Sequence, residues 1–487
     1  MSEKIQIEVP AHVSRLLTLL LATDDLPDLQ LPQMDSVKID EDDITNIFEE
    51  IRFEDTSAKI VTRLSQENHE KFEQYAGKPL GQSCGSVIEC RAGDFLLRAH
   101  KPSIAGHGNN FSFDGQGGGF RQATCTVHAI NWEISSTVAR VGIWVCETEI
   151  PKAFRATRGN LRLQQAEKRL SGYFLRGAYD YYLLPRLQKL SIFVVPRENA
   201  EFTREKFAFD IMAMSFVFGE QINISRIFGF GPDGMPIAEF GGLITAAPTE
   251  EGWITEPFPT VMTDDPQLLL QSEFWMAPFF RCLSEVLHSK PSVRLDYAID
   301  AFLDTLKPHI IASYLRLQVI LESFSYWLLK EKNLAREGLT KSSDEWEKWV
   351  KRDLKEKIHS LALDDYKEEL YLSVKGAYKH ISGRRVQDAF RLFEIGWTDR
   401  MKAEIKLRND VVHMMELSKR RDGKIDAEDL MPRLRLLQVM LIALIARSVG
   451  YGGMIRYWKS GPQQEAGWWP LDEVQRREAL QFFVAQG

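Results

Sequence analysis

The sequence predicts an α+β chain: a strand-rich N-terminal region followed by a C-terminal all-α helical bundle. Two observations predict it. Short β-branched and aromatic runs, separated by polar or Gly-rich turns, fill the chain from about Gly81 to Thr245. After Asp264, apolar residues recur at three- and four-residue intervals through most of the remaining sequence. A length of 487 residues allows two or three domains, each large enough to bury a core. The reading divides the chain into an acidic region (1–80), a strand-rich sensing or regulatory domain (81–260), a helical bundle (261–460) and a tail packing on the bundle (461–487).

In the acidic region, Val13 to Ala22 reads as an amphipathic helix broken by Asp24-Asp25-Leu26-Pro27-Asp28. Glu41-Asp42-Asp43 precedes a second short helical pattern through Ile51. The acidic runs read as a solvated face or loop, with nucleic-acid mimicry or a lid over a basic site as the alternative. Strands are expected at 86–90, 123–127, 141–145 and 190–195, where Pro196 ends the series. A helix interrupts them at 204–218, and Phe228 to Gly234 reads as a turn between two strands. The whole is an antiparallel sheet with occasional helices.

Helices follow at 267–288, 293–306, 310–330, 344–359, 386–393, 399–417 and 426–449. Pro308 and Gly423 mark breaks, and Asp426 is placed to cap. Pro432 is expected to delay the regular start of the last helix, which glycines 450, 452 and 453 end. The arrangement is an up-and-down bundle of about two hundred residues.

Composition narrows the function classes. Hydrophobic and charged fractions of 44% and 26% are ordinary for a soluble protein, and no apolar run reaches a membrane span. The run at 16–22 is too short, and Asp24-Asp25 follows it where a signal peptide would carry its cleavage pattern. A cytoplasmic protein without membrane contact is expected. Five cysteines (Cys84, Cys90, Cys125, Cys146, Cys282) form no CxxC pair, so buried free thiols are expected. No His/Cys cluster has zinc spacing, and the reading includes neither metal nor cofactor. Residues 291–487 carry a net +4 and residues 1–290 a net −11, which permits nucleic-acid binding at the back end without demonstrating it.

The stretch with the most chemistry is Arg408-Asn409-Asp410-Val411-Val412-His413. On a helix, Asn409 and His413 lie four apart and share a face, while Arg408 is about 140° round from His413, with a side chain long enough to swing toward it. RNA carries its own nucleophile, the 2′-OH. A metal-free enzyme therefore needs only a proton acceptor and stabilisation of the developing phosphorane charge. His413 suits general acid–base work, Arg408 offers a fixed charge and a forked donor to phosphate, and Asn409 can orient either. The expected products are a 2′,3′-cyclic phosphate and a 5′-OH. A buried polar network that merely fixes the bundle is the competing reading.

The bare spacing discriminates little, since it recurs at Arg63…His69, Arg121…His128, Arg281…His288 and Arg352…His359. What distinguishes Arg408…His413 is the Asn after the Arg, the bundle helix expected around it and the long apolar helix that follows. With those features the chain resembles the HEPN superfamily of helical-bundle proteins, many of them ribonucleases marked by Arg-x(4–6)-His. The order is similar: a helix carrying Leu317-Gln318-Val319-Ile320-Leu321-Glu322, then Arg408-Asn409…His413, then a final helix through Leu434 to Arg447. The resemblance covers residues 265–460, and a strand-rich region ahead of such a bundle looks like the ApeA-type proteins of bacterial antiphage defence.

The resemblance implies a metal-independent endoribonuclease acting on RNA, transfer RNA among the candidates, and restrained until the N-terminal domain senses a phage-derived or small-molecule trigger. It also implies a homodimer bringing two copies of Arg408, Asn409 and His413 into one cleft. Glu322 and Asp410 are possible supporting residues. A non-catalytic HEPN module binding RNA, a nucleotide or a partner is the alternative, and a ligand-binding strand region with a bundle that only dimerises is a third.

Other features carry less. Gly115-Gln116-Gly117-Gly118-Gly119 lacks the GK[ST] of a P-loop and reads as a hairpin loop. Tyr179, Tyr181 and Tyr182, near Arg176 and Arg186, can stack bases or pack a core. His100 and His107 flank a Gly-containing loop without a carboxylate pattern, and Trp468-Trp469-Pro470 is expected to anchor the tail.

Overall fold

A computed structural model describes residues 36–39, 42–43, 47–54, 57–64, 87–100, 103–113, 119–129, 131–137, 141–149, 161–164, 169–185, 189–197, 201–241, 266–306, 310–334, 352–353, 356, 381–405, 427–458 and 466–470. They fall in two compact units, Ser2–Ile211 with Gln221–Pro248 and Met212–Glu220 with Thr249–Gly487. The first is a strand unit and the second a helical unit, so the chain is α+β as its sequence predicts.

The strand unit holds β1 (Ser36–Ile39), β2 (Asp42–Asp43), β3 (Ile47–Glu54), β4 (Ser57–Leu64), β5 (Val87–Ala92), β6 (Phe95–His100), β7 (Ser103–Phe113) and β8 (Gly119–Ala129). It continues with β9 (Asn131–Ser136), β10 (Ile143–Glu149), β11 (Leu161–Gln164), β12 (Arg169–Arg176), β13 (Asp180–Pro185), β14 (Lys189–Val195), β15 (Arg226–Phe230) and β16 (Pro236–Gly241). Nine of them form one antiparallel run, β12-β13-β14-β10-β15-β16-β9-β6-β5, which β11 extends at one end and β1-β2 at the other. A separate four-stranded sheet has the order β3-β4-β8-β7.

Burial along the strands locates the core. Leu190 to Val194 of β14 and Ile143 to Cys146 of β10 are buried in unbroken succession, so the middle of the sheet is covered on both faces. Toward β6 the pattern alternates: Leu97 and Ala99 are buried, Arg98 and His100 exposed. Register then aligns Arg98 with Glu89 and Glu133, and its guanidinium meets them at 2.8 and 3.7 Å on the solvent face. On the opposite face, Arg226 reaches the fully buried Glu239 at 2.5 Å and stands 4.9 Å from the Phe228 ring centre. Gly241 is required there, because a Cβ would lie 2.0 Å from the Trp132 indole.

One expectation in the acidic region is overturned. The helical pattern through Ile51 is instead β3, paired with β4 so that Ile51 stands opposite Ile60 and Glu54 opposite Ser57. Ile47 and Ile51 fit a helical spacing, but Ile51 and Phe53 also alternate, and a short run is decided by the partner it finds. The helix expected at 13–22 lies outside the described residues.

Helix α1 (Arg204–Phe218) forms as the sequence predicts. Its residues through Ile211 belong to the strand unit and those from Met212 to the helical unit, where Phe216 packs edge-on against Phe279 and Phe302.

The helical unit continues with α2 (Pro266–Ser289), α3 (Leu295–Leu303), α4 (Ile310–Glu331), α5 (Ile381–Leu392) and α6 (Ala427–Ser448), with a further helical stretch at 399–405. Helix α4 packs against α3, α5 and α6. The expectation for Pro432 is corrected: α6 begins at Ala427 and takes the proline inside its second turn. The buried run from Met440 to Ala446 anchors that helix independently of the bond lost at Pro432. Gly450, with φ +82°, ends α6 in a Schellman arrangement, its N–H bonding to Arg447 O and that of Tyr451 to Ala446 O. Then β17 (Met454–Trp458) pairs with β18 (Ala466–Pro470), so Trp468 and Trp469 sit in a hairpin whose first strand lies against α6. The helix expected at 344–359 falls almost wholly outside the described residues.

Candidate functional site

Arg408, Asn409, Asp410 and His413 lie outside the described residues, as do Arg186 and Gly115 to Gly118. What is described is the approach to them, the helical stretch 399–405, and the helices it packs against. Met401 and Glu404 are buried while Lys402 and Ala403 are exposed, which gives this stretch one inward face.

Glu404 is the polar member of that face. Its carboxylate is 4% exposed and accepts from Tyr314 Oη at 2.5 Å and from Arg433 Nη1 at 3.2 Å. Gln318 Nε2 donates to the Glu404 carbonyl at 3.2 Å and to the Tyr314 hydroxyl at 3.3 Å. Tyr314 and Gln318 come from α4 and Arg433 from α6, so three helical segments meet at one acid. Burial, and then the hydrogen bond and charge of Glu404, push the Tyr314 hydroxyl above its ordinary value and keep it a donor. Arg433 is half-exposed, at 43% of its side chain, so the network is buried at the tyrosine and open to water at the guanidinium.

Glu322 sits on α4 four residues beyond Gln318 and eight beyond Tyr314, on the stripe that meets Glu404. It is partly buried, and its Oε2 is shielded from solvent. Tyr314, Gln318, Glu404 and Arg433 were missed at the sequence level. The available signal was the i, i+4 pair Tyr314/Gln318 interrupting an otherwise apolar stripe, with Glu404 three residues after buried Met401.

The competing spacings read as ordinary surface chemistry where they are described. Arg281, on α2, pairs with Glu285 at 3.9 Å with both side chains exposed, and Arg352 pairs with Asp353 at 2.8 Å. Arg121 and His128 both fall on β8, a strand and not a bundle helix.

Base stacking on the tyrosine cluster is ruled out by burial. Tyr179, Tyr181 and Tyr182 are all buried; Tyr181 Oη donates to Asp210 at 2.6 Å and Tyr179 Oη to the Glu201 carbonyl at 3.1 Å. Arg176 is held by Asp180 at 3.0 Å. On either side of the glycine-rich run, β7 and β8 pair antiparallel, with Phe113 opposite Gly119. Cys90, Cys146 and Cys282 are free thiols, each pushed up mainly by burial. Among the described residues no group of His, Cys, Asp and Glu could hold a metal ion, and no helix is long and apolar enough to cross a membrane.

Compared with protein-family models, curated proteins and solved structures, the chain gives no match.

Proposed function

We propose that this protein is a metal-independent endoribonuclease of the HEPN type, cleaving RNA by attack of the 2′-OH on the adjacent phosphodiester. The observation that carries this reading is the continuity of Arg408-Asn409-x-x-x-His413 with a helical stretch tied through Glu404 to α4 and α6. A helix-rich unit of described residues around that approach, and the strand unit that precedes it in sequence, fit the same reading.

In this reaction His413 takes the 2′-OH proton, Arg408 balances the charge that develops on the phosphorane, and Asn409 orients the imidazole or a phosphate oxygen. A second copy of the chain supplies the His413 that protonates the leaving 5′-oxygen, which makes the working form a homodimer. Asp410 and Glu322 are supporting residues. The setting is cytoplasmic antiphage defence or abortive infection, with the strand unit restraining the site until a phage-derived or small-molecule trigger binds.

Two measurements test this. Purified protein should cut RNA in the presence of a chelator, leaving cyclic phosphate ends, and Arg408→Ala and His413→Ala proteins that remain folded should not. Overexpressed wild-type protein should be toxic to cells and His413→Ala protein harmless, which covers a preparation whose trigger is missing. Cleavage unchanged in both variants removes the assignment; RNA binding without cleavage under any condition leaves a non-catalytic HEPN module.

A further inference from the structure

Glu404 has no part in the proposed proton transfers, yet it is a buried acid held from two other helices. Its side chain and carbonyl engage Tyr314, Gln318 and Arg433 through three hydrogen bonds, and a fourth joins Gln318 to Tyr314. As a source of stability this is a poor design. Burying a carboxylate costs desolvation that its partners recover only in part, and apolar residues of similar volume commonly serve a bundle as well or better. Gln318 Oε1 adds to the cost, since it is shielded from water and has no hydrogen-bond partner.

The network supplies direction. An apolar contact between helices tolerates small rotations and slips, whereas hydrogen bonds of fixed length and angle from two different helices admit one rotation and one axial register. They act on a residue that precedes Arg408 by four positions and His413 by nine. Reactive groups tolerate little misplacement, about 1 Å being able to cost about 10²-fold in rate.

We propose that Glu404 is a positioning residue: held by Tyr314, Gln318 and Arg433, it fixes the rotation and register of the helical stretch 399–405, from which the sequence runs on to Arg408, Asn409 and His413. Its consequence for rate rests on the ribonuclease reading, while its consequence for local protection rests on the geometry alone.

The test uses the full chain and two variants. Tyr314→Phe/Glu404→Met/Arg433→Met replaces the network by apolar groups of similar volume, which should keep the fold. Glu404→Gln keeps an acceptor for Tyr314 and removes the charge opposite Arg433. In the triple variant, kcat for RNA should fall about 10- to 100-fold, with KM within about twofold and thermal stability preserved. Amides of 399–405 should exchange at least about tenfold faster while those of α4 and α6 stay unchanged. Glu404→Gln should restore most of both. Wild-type exchange in the triple variant overturns the proposal, and so does a uniform rise across the helical unit with a lowered Tm, which marks a merely structural role. Equally, local loosening with unchanged kcat overturns it. If His413→Ala cleaves like wild type, the ribonuclease reading fails alone, and the exchange of 399–405 still decides what Glu404 does.

Discussion

Two buried carboxylates, one in each unit, accept a tyrosine hydroxyl at nearly the same distance and are put to different use. Asp210 is 0% exposed and takes Tyr181 Oη at 2.6 Å and the Ala178 N–H at 2.8 Å, so two of its hydrogen bonds come from neutral donors on one stretch of chain. Those donors flank Tyr179 around the β12–β13 turn, and the acid ties the first half of α1 to that turn. Glu404 draws on α4 and on α6, 90 residues before it and 29 after it in sequence, and one of its donors is a half-exposed cation. The difference separates two meanings of a buried acid. Asp210 ties one helix to one turn, while Glu404 joins two helices that lie on either side of it in sequence and keeps one end in water.

The largest effect is expected where no water can help. Asp210→Ala strands a buried hydroxyl and a backbone N–H and should destabilise the protein by about 3–4 kcal/mol in denaturant unfolding. Asp210→Asn, which keeps an acceptor, should cost about half as much. Glu404→Ala strands only the Tyr314 hydroxyl, since Arg433 can turn to solvent, and should cost about 2 kcal/mol. A larger loss from Glu404→Ala than from Asp210→Ala would break the comparison, because it would make the helical network the principal stabilising one.

The same two sites mark how far the sequence could be read. Helix α4 was legible because its apolar residues keep helical spacing over 22 residues, long enough for periodicity to outweigh chance, whereas α1 is apolar almost throughout and was marked by its 15-residue length. The turn between β15 and β16 was legible from Gly231-Pro232-Asp233-Gly234. Strand β3 was not, because eight residues satisfy both periods and its partner β4 settles the matter. Glu404 was invisible for a related reason. A glutamate in a helix reads as surface unless one knows that Tyr314 and Arg433 will stand opposite, and that is long-range information. Glu322 was picked out from its own helix, where it follows Gln318 by four residues, while Arg408, Asn409 and His413 fall outside the described residues.

Alkaline pH should sharpen the comparison from the tyrosine side. Tyr181 and Tyr314 are both raised above their ordinary value, first by burial and then by their carboxylates. Above about pH 10 the unfolded chain loses these protons and the native protein keeps them, so the unfolded state binds fewer protons and stability falls as pH rises. Each tyrosine contributes a slope of about 1.4 kcal/mol per pH unit until its folded value is reached. Tyr181→Phe and Tyr314→Phe should each remove one proton from that slope in denaturant titrations between neutral and alkaline pH. An unchanged slope in Tyr314→Phe would mean that its hydroxyl ionises as readily folded as unfolded.

The test that asks whether the two acids report on separate units is thiol reactivity. Cys146 is fully buried on β10, with Sγ 3.9 Å from the Ile192 carbonyl, and burial pushes its thiol well up, so attack requires opening of the sheet. Cys282 on α2 is only partly buried and should react before Cys146 with a thiol reagent at neutral pH. If opening of the strand unit is a step of its own, Asp210→Ala should speed labelling of Cys146 by about 10²-fold and Glu404→Ala should leave it unchanged. Equal acceleration by both variants would show that the units open as one, and the contrast between a tie to one turn and a tie between two helices would then hold for geometry and not for energy.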